Sequence, residues 1–149
     1  MDIKIRQLEI EDLKSGSGFW KTLSNLKPVK EVNYDQAVEA YHRTRKQDIY
    51  TFVAVDSKDS QIIGSVSLLI EQKFIRNLGL AGHIEDVVTR KEYEGNQIAS
   101  QLITQALQKA KELGCYKVIL DCRQELVSFY QKFGFEPAEV QMKIYFKKS

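Results

Sequence analysis

The 149-residue sequence contains few of the residues that small folds use as cross-links or linkers: two cysteines, two prolines and eight glycines. Cys115 and Cys122 make no disulfide framework, and their spacing fits no zinc-binding pattern. No Pro-rich linker, low-complexity segment or repeat divides the chain, so we predict one domain over residues 1–149. A chain of this length buries about two-thirds of the surface that its unfolded form exposes, and it therefore needs neither a disulfide nor a metal to fold.

The sequence also lacks an excess of charge of one sign and any long apolar run. Its 22 Lys and Arg residues against 20 Asp and Glu residues give a net charge of +2. This balance argues against binding to nucleic acid or a membrane surface, but it allows a local basic pocket for a phosphorylated ligand. The apolar stretches are strand-sized, well short of the roughly 20 residues of a membrane span, and no signal-peptide pattern opens the sequence. We expect a cytoplasmic protein with reduced thiols.

Hydrophobic periodicity in the first half predicts an antiparallel β-meander with helices inserted after its first strand. Glycines interrupt the first helical pattern, between Glu11 and Pro28, and a second helix begins at the N-cap Asn33. The predicted strands are Ile3–Leu8, Ile49–Val55, Gln61–Glu71 and Ala81–Thr89.

The second half predicts a parallel β-α-β unit. Gly95–Leu113 carries the apolar stripe of an amphipathic helix, and Lys117–Asp121 is apolar on both faces, as expected of a central buried strand. A helix over Glu125–Phe133 and a last strand over Val140–Phe146 follow. The fold class is therefore α/β, with a mixed central sheet that is flanked by helices.

The loop over residues 90–97 leads directly into the amphipathic helix. Backbone N–H groups at a helix N-terminus are unpaired and lie at the positive end of the helix dipole, so they bind phosphate oxygens. Gly95 would let such a ligand approach closely. A single glycine before a helix also occurs in ordinary loops, and by itself this pattern favours that interpretation.

Four blocks in fixed order make the interpretation specific: LGLAGHIEDVV (78–88), EYEGNQIASQLI (92–103), GCYKVILDC (114–122) and FYQKFGF (129–135). Together they resemble the glucosamine 6-phosphate N-acetyltransferases of the acetyl-CoA-dependent GNAT superfamily, and the likeness extends over residues 3–146. The resemblance implies the GNAT fold, acetyl-CoA as co-substrate, no metal, and a homodimer whose protomers share the amino-sugar phosphate pocket. It also implies acetyl transfer to the 2-amino group of D-glucosamine 6-phosphate, a step toward UDP-N-acetylglucosamine.

The resemblance assigns catalytic roles to Tyr130, as the acid that protonates the coenzyme A sulfur, and to Asp121, beside the substrate amine. Acetyl transfer to an amine needs a positioned neutral nitrogen, a polarised carbonyl and a proton for the departing thiolate. A structural interpretation is also open for each residue: Tyr130 as an aromatic residue at the edge of the core, and Asp121 as a cap of the following turn. His83 is expected to be structural, because the family's chemistry does not require it.

The resemblance also assigns the binding residues. For Lys73 and Arg76, an equally open interpretation is that they are solvated charged residues of a loop. Because successive side chains of a strand point to opposite faces, at most one of Glu85 and Asp86 can face the sugar. Substrate binding is implied for Ser24, Lys73, Arg76, Glu85, Asp86, Tyr116, Lys117 and Asp121. Cofactor binding is implied for Val87, Val88, Thr89, Glu94, Gly95, Asn96, Gln97, Ile98, Ala99, Ser100 and Tyr130.

Four ligand-facing positions depart from the family pattern: Glu94, Gln97, Leu126 and Tyr145. Glu94 places a carboxylate near the expected phosphates, and Gln97 replaces a glycine. Arg90 and Lys91 are close enough in sequence to offset the charge of Glu94. The departures leave two alternatives open: an acetyltransferase for another small amine, or a catalytically weak dimer that binds acetyl-CoA.

Overall fold

The computed structural model describes residues 1–30 and 32–147 and divides into two compact units, residues 1–119 and 120–149. The strands, all in the first unit, are β1 (Ile3–Gln7), β2 (Ile49–Asp56), β3 (Gln61–Gln72), β4 (Leu80–Thr89) and β5 (Cys115–Ile119). The helices are α1 (Phe19–Leu23), α2 (Tyr34–Lys46), α3 (Ile75–Leu78), α4 (Ile98–Glu112) and, in the second unit, α5 (Val127–Gln131). Among the described residues, no helix combines the length and the apolar character that crossing a bilayer requires.

The five strands form one sheet in the order β1-β2-β3-β4-β5. The first four strands pair antiparallel, and β5 pairs parallel with β4 after the α4 crossover. The predicted meander and β-α-β unit are therefore confirmed. Pairing with β5 covers only Leu80–His83 of β4, so the rest of β4 has no hydrogen-bonded neighbour on that side among the described strands.

Helices cover both faces of the sheet. Val53 and Val55 of β2 belong to a cluster with Phe19 of α1 and Ala37 of α2. The alternating residues point to the opposite face, where Gly64 of β3 lies so close to α4 that an added Cβ would be 2.8 Å from the Ile98 side chain. The side chains with no exposed surface include Ile63, Val66, Leu68, Ala81, Leu102, Ile103 and Ala106.

Two features of the second half differ from the sequence prediction. β5 begins and ends two residues earlier than predicted, and as an edge strand it is half exposed rather than buried on both faces. The segment over residues 140–146 is not a strand, and its apolar side chains are exposed. The apolar alternation gives this segment strand propensity, but a strand also needs a paired neighbour for its backbone hydrogen bonds, and no described strand pairs with this segment.

The connection between β1 and α1 is held by a two-pronged ion pair. Arg6 donates to both carboxylate oxygens of Asp12, at 2.7 and 2.9 Å, and the Glu9 backbone N–H donates to the same carboxylate at 2.8 Å. Asp12 is 7% exposed, and its hydrogen bond to Arg6 raises the pKa of the guanidinium. Charge-assisted bonds of this geometry are among the stronger hydrogen bonds in proteins.

Asp12→Asn should therefore lower the free energy of unfolding by about 1.5–3 kcal/mol, because the amide must present an N–H group to one of three donors. Urea denaturation monitored by circular dichroism measures the change. Glu11→Gln is the matched control: it removes the fully solvated pair with Lys14 (2.7 Å) and should leave the stability unchanged. Equal effects of the two substitutions would contradict this role of Asp12.

Candidate active site

The half of β4 that β5 leaves uncovered contains a β-bulge. Ser67 pairs with Glu85 and Ser65 pairs with Val88, so Asp86 and Val87 together lie opposite a single residue of β3. Asp86 adopts the left-handed φ of 52°. Both Glu85 and Asp86 are exposed. The prediction that only one of them can face a ligand was wrong in its reasoning, because the bulge breaks the alternation on which it depended.

The chain then enters the loop over residues 90–97, whose backbone turns into α4 through two left-handed residues. Gly95 has φ 86° and open space where a Cβ would lie, and Gln97 has φ 60° and serves as the N-cap of α4. Within the described residues, no acceptor is paired with the backbone N–H groups of residues 95–100. These donors at one helix N-terminus form a site that suits an anionic phosphate group.

The side chains near these N–H groups differ in their burial and in their hydrogen bonds. Ile98 is 1% exposed and packs against Gly64, so only its backbone is available to a ligand. Thr89, at the end of β4, has a buried hydroxyl without a hydrogen-bond partner in the described chain. Asn96 donates through Nδ2 to the Tyr93 carbonyl at 2.9 Å and so stabilises the turn itself.

Of the two cationic residues that we expected to offset the charge of Glu94, Arg90 and Lys91, only Lys91 is exposed. Glu94 is exposed at the loop. Arg90, by contrast, is 4% exposed and donates to the carbonyl of Ile62 at 2.6 Å, so it cannot turn toward a phosphate. The prediction that Arg90 offsets Glu94 was therefore wrong, and the exposed Lys91 is the remaining neighbouring cation.

A second contact fixes the loop to the end of β2. The Tyr93 hydroxyl donates to Oδ2 of Asp56 at 3.2 Å, and Asp56 is 2% exposed. Desolvation and then this hydrogen bond raise the pKa of Tyr93, so the phenol keeps the proton that it donates. The loop is thus preorganised from both of its sides before any ligand binds.

Lys73 lies in an ion-pair network rather than free in a loop. Its Nζ is 3.0 Å from Oε2 of Glu71, and Nε2 of His83 is 2.9 Å from Oε1 of the same carboxylate. The hydrogen bond from His83 and then that from Lys73 lower the pKa of Glu71. His83 therefore has a hydrogen-bond partner on the neighbouring strand β3.

Arg76 and Lys117 lie over the same aromatic ring. The Arg76 guanidinium carbon is 5.2 Å and the Lys117 Nζ is 5.7 Å from the centre of the Tyr116 ring. Arg76 reaches this position from the β3–β4 turn, where it and Asn77 have left-handed φ of 56° and 55°. The structure thus brings together three of the predicted substrate residues, two of them cationic.

The remaining predicted residues lie apart from these groups in the sequence. Ser24 caps the C-terminus of α1, where its hydroxyl donates to the Trp20 carbonyl at 2.9 Å. In the second unit, Asp121 lies beyond the end of β5 and accepts a hydrogen bond from Nε2 of Gln141 at 2.9 Å.

Tyr130 of α5 belongs to an aromatic cluster in the second unit, with edge contacts to Phe129 (ring centres 5.1 Å apart) and Phe135 (6.0 Å). It is 8% exposed, and desolvation raises the pKa of its hydroxyl, with a smaller contribution from Cys122. The phenol is therefore held as a proton donor. Both cysteines are free, as predicted.

Sequence reasoning missed three contacts of the site: the pairing of Glu71 with His83 and Lys73, the Tyr93–Asp56 bond, and the burial of Arg90. The first was accessible in principle, because Glu71 and His83 belong to neighbouring strands of a predicted hairpin. The others join residues far apart in the chain, and no local pattern indicates them.

Comparison with known proteins finds one family and close relatives. Residues 18–135 match the acetyltransferase (GNAT) family. Glucosamine 6-phosphate N-acetyltransferase 1 of Dictyostelium discoideum is 41% identical over 96% of this chain and 90% of its own length, and the Arabidopsis thaliana enzyme is 37% identical over 96% of each. A crystal structure of glucosamine-6-phosphate N-acetyltransferase from Arabidopsis thaliana superposes with a TM-score of 0.93 at 36% identity, covering 99% of this chain and all of that one.

Gln97→Gly should stabilise the protein by about 0.5–1 kcal/mol. The left-handed conformation destabilises the folded state by about 1–2 kcal/mol when the residue has a side chain. The substitution removes this penalty, but the greater flexibility of glycine in the unfolded chain offsets part of the stabilisation. Thermal and urea denaturation measure the change. Gln101→Gly, at an exposed position inside α4, is the matched control and should destabilise by about 1 kcal/mol. A loss of stability in both variants would contradict the assigned conformation of Gln97.

Proposed function

Because the chain belongs to the glucosamine 6-phosphate N-acetyltransferases of the acetyltransferase (GNAT) family, we propose that it transfers the acetyl group of acetyl-CoA to the 2-amino group of D-glucosamine 6-phosphate. The product would be N-acetylglucosamine 6-phosphate, which feeds UDP-N-acetylglucosamine synthesis in the cytoplasm. The observation that supports this most is the row of unpaired N–H groups over residues 95–100, beside the uncovered half of β4.

The residues present fit acetyl-CoA. The N–H groups of residues 95–100 would hold the pyrophosphate, with Gly95 allowing close approach, while Val87, Val88 and Thr89 would offer backbone groups to the pantetheine arm. Bound acetyl-CoA supplies the thioester carbon that the amine attacks. Glu94 opposes this binding through its charge, and Leu126 replaces the family asparagine that bonds the arm.

The chain's own residues would position the amine and supply the proton. Within the first unit, Glu85 and Asp86 at the bulge would bind and orient the amino sugar, and the resemblance assigns Asp121 of the second unit a role toward the substrate amine. The carboxylates favour the amine when it enters as the ammonium, and before direct attack this proton would pass to one of the carboxylates or to solvent. The second nitrogen proton, lost as the amide forms, would reprotonate the Tyr130 phenolate through solvent. Tyr130 would then donate its hydroxyl proton to the departing sulfur, a role supported by its raised pKa.

Cationic side chains would bind the sugar phosphate. The charged groups of Arg76 and Lys117 lie 5.2 and 5.7 Å from the centre of the Tyr116 ring, and Lys73 lies on the same turn between β3 and β4 as Arg76. The carboxylate of Glu71 orients Lys73 through their 3.0 Å ion pair. Ser24 would add a hydroxyl that can accept a hydrogen bond from the sugar while donating to Trp20.

A homodimer is part of this proposal. The apolar side chains of the predicted last strand are exposed in the single chain: Val140, Met142, Ile144, Tyr145 and Phe146. A second copy that paired with this segment would both cover these side chains and supply the missing strand neighbour. Such a dimer would also let both protomers contribute to one sugar pocket, with Lys147 beside the position of the family arginine that Tyr145 replaces. Lys148, the other candidate there, lies outside the described residues.

A panel of amines tests the proposed reaction against its alternatives. Release of free thiol from acetyl-CoA that depends on glucosamine 6-phosphate is the expected result. Release with a different small amine would make the protein an acetyltransferase of other specificity, an outcome that the changes at Glu94 and Tyr145 make worth testing. Coenzyme A binding without turnover on any amine would show a binding protein.

Tyr130→Phe should lower kcat by roughly 10²-fold, the usual contribution of a general acid, with little change in acetyl-CoA affinity because only a hydroxyl is lost. Because burial raises the pKa of Tyr130, the wild-type enzyme should keep this acid through mildly alkaline pH and lose it only above the ordinary tyrosine range. Steady-state kinetics against pH measure both effects. Wild-type turnover in the variant would remove Tyr130 from the mechanism.

Glu94→Gln should tighten acetyl-CoA binding about two- to fivefold at low salt, because it removes a like charge near the helix N-terminus. The gain should shrink at high salt, where the repulsion is screened. Calorimetric titration at two ionic strengths measures it, and Glu92→Gln, an exposed charge change two residues earlier, is the control. An unchanged affinity at low salt would mean that Glu94 points away from the phosphates.

A further inference from the structure

Two successive residues at the start of the loop each bind the α1 segment, and we name these contacts the α1 clasp. Arg90 provides the buried part. Its Nη2 donates to the carbonyl of Gly18 at 3.1 Å and lies 3.5 Å from the hydroxyl of Thr22. Thr22 in turn donates to the Ile62 carbonyl at 2.8 Å, the same carbonyl that accepts from Arg90 at 2.6 Å.

The exposed part of the clasp joins Lys91 to Asn25. The Lys91 backbone N–H donates to Oδ1 of Asn25 at 2.5 Å. Asn25 comes directly after Ser24, the C-terminal cap of α1, and its own N–H donates to the Thr22 carbonyl at 3.0 Å. One end of α1 is therefore held by Arg90, and the other end is held by the loop backbone through one amide side chain.

The two parts differ in how readily they can open. Gly18 fits Arg90 so closely that a Cβ there would lie 2.5 Å from Nη2, and the guanidinium is buried. This contact cannot separate without disrupting the core. The Lys91–Asn25 bond is exposed to water, which competes for both partners, so it is the part that can open locally.

We propose that Asn25 is a positioning residue through which the loop that holds the coenzyme fixes the segment carrying Ser24, so that binding of acetyl-CoA and of the amino-sugar phosphate favour each other. This inference rests on the proposed function for its two ligands. A phosphate on the N–H groups of residues 95–100 restrains the loop, and the restrained loop keeps the Lys91 N–H in place for Asn25. The closed clasp then orders Ser24 before the sugar binds.

Coupling of this kind has to be reciprocal. If coenzyme A closes the clasp and the closed clasp binds the sugar phosphate better, the sugar phosphate must raise coenzyme A affinity by the same factor. A ligand shifts the clasp only through its different affinity for the closed and open forms. The coupling factor between the two ligands is therefore the quantity that Asn25 controls.

Calorimetric titrations on the full chain measure this factor. Glucosamine 6-phosphate is titrated with and without saturating coenzyme A, and wild-type protein should bind it at least about fivefold more tightly with coenzyme A. Asn25→Ala, which removes the acceptor, should reduce this factor below about twofold. Asn25→Asp keeps an acceptor oxygen and should restore it. Gln61→Ala, which removes an exposed bond to the Gly16 carbonyl (2.8 Å) but none to the loop, should retain the wild-type factor.

Hydrogen exchange gives a readout without the sugar. Coenzyme A should slow exchange over residues 19–26 in the wild type and in Asn25→Asp, but not in Asn25→Ala. If coenzyme A binds yet leaves these amides unprotected, or if Asn25→Ala keeps the full coupling factor, the inference is overturned while acetyl transfer stands. If the wild type fails to bind coenzyme A, the proposed function falls and the inference falls with it. Failure of the sugar alone to bind overturns only the substrate, since the exchange experiment still decides the clasp.

Discussion

The backbone N–H groups at the start of α4 have no hydrogen-bond acceptor in the described chain, and several contacts from other elements fix the turn that presents them. The N–H groups of residues 95–100 have no partner in the described chain, and the turn that presents them uses left-handed conformations at Gly95 and Gln97. A turn with these left-handed residues would change to a lower-energy backbone conformation if the segments on either side of it were not held in place. Tyr93 on Asp56 and Arg90 on the α1 segment keep it fixed, and the burial of Ile98 against Gly64 fixes the first turn of the helix.

The sheet contributes the other half of the candidate site, because β5 pairs with only part of β4 and leaves the rest of that strand uncovered. The pairing of β5 with β4 ends at His83, and the bulge at Asp86 lies three residues further along β4. The uncovered backbone of β4 and the N–H groups of α4 are therefore consecutive in the chain. Preorganised donors of this kind cost no rearrangement when a charged ligand arrives. The charge of Glu94 acts against this arrangement, and it does so at an exposed position where the solvent weakens it.

The sequence predicted those parts of the fold that depend on local periodicity. The meander, the amphipathic α4 and the N-cap of α2, where Asn33 accepts from the Gln36 N–H at 3.0 Å, follow from residues within one turn or one strand. The prediction was wrong for residues 140–146, whose strand pattern has no paired neighbour among the described strands. It also failed for Arg90, whose partners Gly18 and Ile62 are close to it only in the folded chain. The roles of Tyr130 and Asp121 came from the family resemblance and remain predictions.

The central claim is that the backbone N–H groups of residues 95–100 hold the coenzyme pyrophosphate. Titration of ¹⁵N-labelled protein with coenzyme A, followed by amide chemical shifts, tests it most directly. The largest amide-proton shifts should fall on Gly95 to Ser100, with the same saturation curve for each. Large shifts elsewhere, with these amides unmoved at saturation, would contradict it.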